Sequence, residues 1–325
     1  MTASRSSLFS DRSLPMGRIT LGALLVFCLF LLLRNAGVAA EGMREGLSLC
    51  ARAVVPALFP SLVLCEALLR GELLQRPLCA LSRPIARLLG LCEAGAEAVL
   101  LGLLCGFPVG ARAAIRAYDR GRIDACECER VFAASGPPSL AFVFGVAAPA
   151  VSSARGVGLA LCLSVWGSSL LVSILWRLVL SRDRIQKSAR IPSPPSPTPP
   201  PAKLLTDSVK AATESMLLIC AYVVLFTTLC DTLERILSPM GLSETLRAIL
   251  IAPLELSTGI LRAATLPSAT RACLCASLAA WSGVSIHCQL LSLIDRRPIP
   301  IGRYLLAKGA QALLSPLLFS LMLRA

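Results

Sequence analysis

Charge is scarce in this sequence, and histidine is almost absent. Only 16% of the 325 residues are Asp, Glu, Lys or Arg, and His287 is the sole histidine. Soluble domains carry about a quarter of their residues as charges, so a water-facing surface along the whole chain is excluded. One histidine leaves no pair at metal-ligand spacing, and Cys126/Cys128 and Cys273/Cys275 stand too close together for a structural zinc knuckle. Most of the 14 cysteines, such as Cys28, Cys65, Cys105, Cys162 and Cys220, lie in apolar runs and read as small apolar fillers. A Walker loop, a dinucleotide glycine pattern, a zinc-protease helix and a nucleophile elbow are all missing. No metal, no cofactor and no catalytic residue is expected.

What is present is apolar length. Hydrophobic residues make up 55% of the chain and the mean hydropathy is +0.73. Runs long enough to cross ~30 Å of hydrocarbon fall at about 17–34, 47–69, 131–150, 157–180, 209–231, 270–293 and 302–323. The sequence predicts an all-α, polytopic transmembrane protein that faces the lipid bilayer. The 32 basic residues against 19 acidic ones do not form a nucleic-acid patch, because they lie between the apolar runs. They read as positive loops held in the cytoplasm. Arg5, Arg12 and Arg18 precede the first run, and Val38-Ala39-Ala40 resembles a signal-peptide cleavage site. Arg34 and Asn35 interrupt that reading, so an uncleaved first helix with a cytoplasmic N-terminus is favoured.

Two further apolar stretches, 94–118 and 244–264, are interrupted at their middles by Gly106-Phe107-Pro108-Val109-Gly110 and by Pro253-Leu254-Glu255-Leu256-Ser257-Thr258-Gly259. Proline removes a backbone donor and glycine loosens the helix. Each stretch is therefore expected to be a re-entrant hairpin. That topology keeps Arg70, Arg76, Arg83, Arg87, Arg112, Arg116, Arg296, Arg297, Arg303 and Lys308 on the cytoplasmic side. Pro-rich residues 191–202, beside the basic cluster Arg182, Arg184, Lys187 and Arg190, read as an extended polyproline spacer.

The two halves resemble each other. Gly90-Leu91-Cys92-Glu93 recurs as Gly241-Leu242-Ser243-Glu244, and Ser135-Gly136-Pro137-Pro138 as Ser282-Gly283-Val284-Ser285. Each half carries an odd number of full crossings, which predicts an inverted repeat of the kind found in secondary transporters. The expected organisation is an N-terminal segment and first helix over 1–46, a first repeat over 47–180, a linker over 181–208 and a second, inverted repeat over 209–325.

Unwound backbone at membrane depth must line a cavity or be buried in protein. The breaks thus mark a candidate substrate site: Gly106, Phe107, Pro108, Gly110, Ser135, Gly136, Pro137, Ser257, Thr258, Gly259, Ser282 and Gly283. Arg112, expected in the first turn after Gly110, and the helix N-terminus beside it suit a carboxylate or phosphate. Glu255 is a costly intramembrane carboxylate and a candidate for coupling to H+ or Na+, or for pairing with Arg262. His287 and Gln289 follow the Ser-Gly break, and His287 is a second coupling candidate. Trp281 offers a shelf for a flat ring. Structural roles compete for each of these side chains.

The run Gly106-Phe107-Pro108-Val109-Gly110-Ala111-Arg112, then Glu129-Arg130, then Ser135-Gly136-Pro137, resembles the first half of the sporulation integral membrane protein YlbJ family. Leu254-Glu255-Leu256-Ser257-Thr258-Gly259 and Ser282-Gly283-Val284-Ser285-Ile286-His287-Cys288-Gln289 resemble its second half. The likeness runs over about 47–323. It implies nucleoside-recognition (Gate) domains and transport of dipicolinate toward the forespore, across the outer forespore membrane. The chain departs from the family pattern where Arg112 replaces a lysine, where Ala134 replaces an asparagine, and at Trp281-Ser282-Gly283. The alternatives are a nucleoside-type transporter and a non-transporting scaffold or sensor of the sporulation machinery.

Overall fold

The computed structural model describes residues 15–70, 75–180 and 200–324, and among them every regular element is helical. Six helices are long and apolar enough to cross a membrane. Much of the polyproline spacer lies outside the described residues.

The chain begins with α1 (Pro15–Arg34), apolar on every side. Asn35 closes it by donating its side-chain amide to the Leu31 carbonyl at 2.9 Å. Next, α2 (Ala36–Leu49), a π turn (Cys50–Val54) and α3 (Val55–Arg70) run on as one long helix. The π turn stands just ahead of Pro56. A second π turn, Val143–Ala147, stands just ahead of Pro149. A proline ring collides with the carbonyl four residues back and removes one helical hydrogen bond. Widening that turn lets the helix pass the proline without stopping.

Residues 75–89, expected as part of a basic loop, form a helix instead, α4 (Gln75–Leu89), and one that is strongly amphipathic. Its axis bends by 104° into the next helix. Two arginines tie off its C-terminus, since Arg130 donates to the carbonyls of Leu89 and Gly90 and Arg177 to those of Arg87 and Leu88. Cations at a C-terminus satisfy the orphan carbonyls and the dipole together.

The first broken stretch is a hairpin of α5 (Glu93–Cys105) and α6 (Phe107–Asp119). Cys92 caps α5, and Gly106 turns the chain at φ 90°. The arms touch through glycine: a Cβ on Gly110 would lie 2.7 Å from the Gly102 Cα. α7 (Ala125–Ser135) follows, capped by Asp124. After a break at 136–139 the chain resumes as the short α8 (Leu140–Phe142), the π turn and α9 (Ala148–Val151). α10 (Val157–Leu180) closes this half.

The same order then recurs. α11 (Pro201–Leu237) has 37 residues, or ~55 Å at 1.5 Å per residue, so the expected crossing 209–231 is only its interior. Gly241 turns left-handed, as Gly90 does, and Ser243 caps α12 (Glu244–Ile251) as Cys92 caps α5. A 3-10 turn (Ala252–Leu254) leads to α13 (Leu256–Ala263). α14 (Ser268–Trp281), a break at Ser282-Gly283, α15 (Val284–Ile294) and α16 (Gly302–Arg324) complete the half.

Three apolar cores hold these elements. One packs the α5–α6 hairpin on α7, α15 and α16. Another packs α8 to α10 on α13 and α14. The third joins the α2–α3 helix to α11. Outward-facing Leu178, Val179, Leu313, Leu317 and Leu321 are exposed, which suits a surface bathed in acyl chains.

Candidate functional site

The four helix breaks come together. Phe107 N–H, at the start of α6, donates to the Pro137 carbonyl at 3.1 Å. A Cβ on Gly106 would lie 2.7 Å from the backbone nitrogen of Ser139, so only glycine lets these two breaks touch. Ser282 Oγ donates to the Gly136 carbonyl at 3.0 Å, and thereby joins the halves. Gly283 lies so close to the third break that a Cβ there would stand 3.0 Å from Leu256 N. Trp281 Nε1 donates to the Pro253 carbonyl at 3.0 Å. Helices α6, α13 and α15 therefore all start at one junction, each with the positive end of its dipole there.

Glu255 is the N-cap of α13, accepting from Thr258 N–H at 2.7 Å, and its side chain is buried. Thr258 in turn shares a 2.8 Å hydrogen bond with Thr227 of α11. The Glu255–Arg262 pair, one of the roles open to Glu255 from the sequence, does not form. Arg262 binds Asp231 at 2.5 Å and Glu234 at 3.0 Å, both on α11. A carboxylate at an N-cap already meets backbone donors and a positive dipole, so it needs no counter-ion.

Arg112 also departs from expectation. The helix resumes at Phe107, so Arg112 lies in the second turn and Gly110 lies inside α6. The guanidinium points to Glu66 on α3, at 3.2 Å, and to the Ala211 carbonyl of α11, at 3.1 Å. Arg116 binds the same carboxylate through both oxygens, at 2.7 and 2.8 Å, and Arg70 adds a contact at 3.3 Å. The arrangement repeats in the second half, where Arg262 of α13 holds Asp231 and Glu234 of α11. In each half, ion pairs clamp the second arm of the hairpin to the crossing helix before it. Gly259 likewise lies inside α13, and a Cβ there would meet the Ala252 carbonyl at 2.5 Å.

Ser135, Gly136, Ser257, Thr258, Ser282, Gly283, His287 and Gln289 lie at the breaks or within the turns beside them and are buried. His287 stands edge-on between Trp281 and Tyr304, with ring centroids 4.4 and 5.4 Å away. Its Nδ1 is 2.7 Å from the Tyr304 hydroxyl, while Nε2 has no partner among the described residues. Trp281 is therefore already engaged, by Pro253 and by the imidazole. Gln289 Nε2 reaches Ser285 Oγ at 3.4 Å. Ser135 Oγ is buried without a partner.

The residues that the sequence reading missed lie on α16. Tyr304, Lys308, Gln311 and Ser315 are spaced by four, three and four residues, and all four are buried. Their side chains meet His287, the Gly136 carbonyl at 3.2 Å, the Ala133 carbonyl at 2.9 Å and Ser164 at 3.5 Å, in that order. That spacing is one helix face, a polar stripe legible in the sequence of an otherwise apolar helix. Lys308, expected among the cytoplasmic loop charges, is instead enclosed at the junction. Glu129 of α7 caps α16 by accepting from Arg303 N at 2.7 Å and Tyr304 N at 3.2 Å. Beside it opens a small cleft, walled by Arg130, Ser173, Trp176, Arg303, Tyr304 and Ala307, among others.

This chain is similar to a sporulation integral membrane protein. It is 24% identical over 228 residues to YlbJ of Bacillus subtilis (strain 168), across 63% of this chain and 53% of that relative. The resemblance to the YlbJ family read from the motifs is borne out, and the multi-pass helical fold fits an integral membrane protein of that kind. The chain spans about half the length of the YlbJ relative. No protein-family profile matches the chain, and no solved structure does.

Proposed function

We propose that this protein is a transporter that carries a small anionic solute across a bacterial membrane, at the junction of the four helix breaks. The observation that carries the reading is the convergence of three helix N-termini and an enclosed lysine where the two halves meet. Discontinuous helices in paired repeats are how secondary transporters present backbone donors and dipole ends to a solute. The halves are read as the inverted repeats expected from the sequence. The basic loops, with Arg296 and Arg297, are read on the cytoplasmic side together with the N-terminus. With no nucleotide-binding loop, H+, Na+ or the solute's own gradient drives the movement. Glu255 or His287 is the coupling group.

Likeness to a sporulation protein directs the choice of solute to dipicolinate, a flat pyridine with two carboxylates, and the site to the outer forespore membrane. The test is uptake of labelled dipicolinate by proteoliposomes under imposed proton or sodium gradients. Saturable, gradient-dependent uptake is expected. Vesicles that accumulate no more label than protein-free ones reject transport and leave the scaffold or sensor reading.

A further inference from the structure

Lys308 is a buried amine without a carboxylate partner among the described residues. Its side chain is 0% exposed, and its one hydrogen bond goes to the Gly136 carbonyl at 3.2 Å. Among the described residues no carboxylate lies within salt-bridge distance of it. The three buried carboxylates among the described residues are engaged elsewhere. Glu255 caps α13, Glu129 caps α16, and Glu66 holds three arginines. Isolated buried charges are among the most costly features a protein can carry, and inside a membrane they persist where they pair with something.

A second observation points the same way. One turn before Lys308 on the same face, Tyr304 fixes the Nδ1 edge of His287, and the Nε2 edge is left buried and unpartnered among the described residues. His287 is 7% exposed. When Nδ1 accepts from the tyrosine hydroxyl, Nε2 carries the proton and is a hydrogen-bond donor. An amine whose acceptor is one backbone carbonyl and an imidazole nitrogen with no partner among the described residues, both buried beside the breaks at 136 and 282–283, can serve the two oxygens of a carboxylate. The cleft beside the α16 N-terminus has Tyr304, the hydroxyl partner of His287, in its wall. Its Arg130 and Arg303 favour an anion on the way in.

We propose that Lys308 is the counter-ion for a carboxylate of the transported solute, that His287 Nε2 is the second donor to that group, and that the Arg130–Arg303 cleft is the access route. The assignment deepens the transport reading and rests on it for its meaning, though its binding test does not require flux. The variants are Lys308→Met, which keeps the length of the side chain, and Lys308→Gln, which keeps a donor. Both are purified in detergent, and the rise in thermal midpoint with added dipicolinate is measured beside that of the wild type.

The wild type is stabilised in proportion to ligand, and both variants need at least roughly tenfold more ligand for the same rise, as loss of a charge-assisted hydrogen bond implies. The diamide of the same pyridine, which has no negative charge, stabilises none of them. Equal stabilisation of wild type and variants overturns the assignment, and so does equal response to the diamide. No response in any protein overturns it too. Proteoliposome uptake then separates the two proposals: wild-type uptake with normal uptake by Lys308→Met removes Lys308 but leaves transport. Ligand stabilisation that depends on Lys308 without any uptake keeps the site and removes transport. A variant that does not purify as a folded protein is replaced by His287→Ala, for which the same ligand shift is expected.

Discussion

Ser282 reaches across the middle of the molecule to the carbonyl of Gly136, 3.0 Å away, from a backbone conformation (φ 79°) that residues other than glycine rarely adopt. The contact is the direct polar link between the break in one half and its counterpart in the other. Replacing Ser282 by alanine keeps the strained backbone and removes the bond. Loss of about 1 kcal/mol is expected, visible as a lower thermal midpoint in detergent. Ser282→Gly removes the strain as well and should fall less. If the alanine variant is as stable as the wild type, the link between the halves is energetically idle.

Gly106 permits the closest approach in the first half. Its φ of 90° suits glycine, and a Cβ would press on the Ser139 backbone at 2.7 Å. Gly106→Ala should cost at least about 2 kcal/mol from backbone strain and overpacking. Gly121, also left-handed but with open space around it, is the control, and alanine there should cost about 1 kcal/mol. Thermal unfolding of both variants reads the difference, and equal losses would mean that the breaks do not touch.

Glu66 is buried against three arginines that stay partly exposed. Glu66→Gln leaves Arg112 and Arg116 without their anion, and about 1–3 kcal/mol of stability should go with it. Glu234→Gln in the matching clamp of the second half should cost less, because Glu234 is more exposed and solvent screens it. Chemical denaturation of each variant orders the two, and a reversed order would refute the account of the clamps.

Asp119 and Arg297 pair at 2.7 Å outside the spans. The hydrogen bonds from the Arg297 guanidinium hold the Asp119 carboxyl below its usual range. A carboxyl depressed in the folded state stabilises the protein above its unfolded pKa, near 4, and loses that contribution as pH falls through the lower folded value. Asp119→Asn should therefore match the wild type once pH has fallen below the depressed folded value and fall behind above about pH 5, by no more than about 1 kcal/mol for so exposed a pair. A constant offset across that range, measured by thermal midpoints, would show that the ion pair is not its source.

Ser173 lies in the wall of the cleft beside α16. Ser173→Phe fills that space, and if the cleft is the access route, proteoliposome uptake should drop at least roughly tenfold while the thermal midpoint stays near the wild-type value. Undiminished uptake would place the route elsewhere.

The breaks were legible in the sequence because proline and left-handed glycine act locally. Gly106, Pro108, Pro253 and Gly283 reveal where a helix cannot continue, whatever surrounds it. Left-handed Gly90 and Gly241, each followed two residues on by a capping side chain, also carried the repeat. The extent of the helices was harder to read. Residues 36–46 and 201–208 are polar enough to pass for loops, yet packing of α2 on the 224–231 stretch of α11 holds the first helical, and the second is the N-terminal extension of α11 itself. Partners across space were least accessible. Nothing in the local sequence says that Arg262 prefers Asp231 and Glu234 to Glu255, or that Arg112 turns to Glu66. The positive-inside rule assigns Lys308 to a loop because it counts basic residues without seeing which face of a helix they occupy. The four-three-four spacing of Tyr304, Lys308, Gln311 and Ser315 held the answer.

The left-handed serine has a mechanical corollary. A hydroxyl is delivered to the opposite repeat only while its own backbone stays in an unfavourable well. Any motion that parts the two repeats frees residue 282 to relax. The severed hydrogen bond is then partly offset by relief of torsion, so parting the halves at this point costs less than the bond alone would suggest.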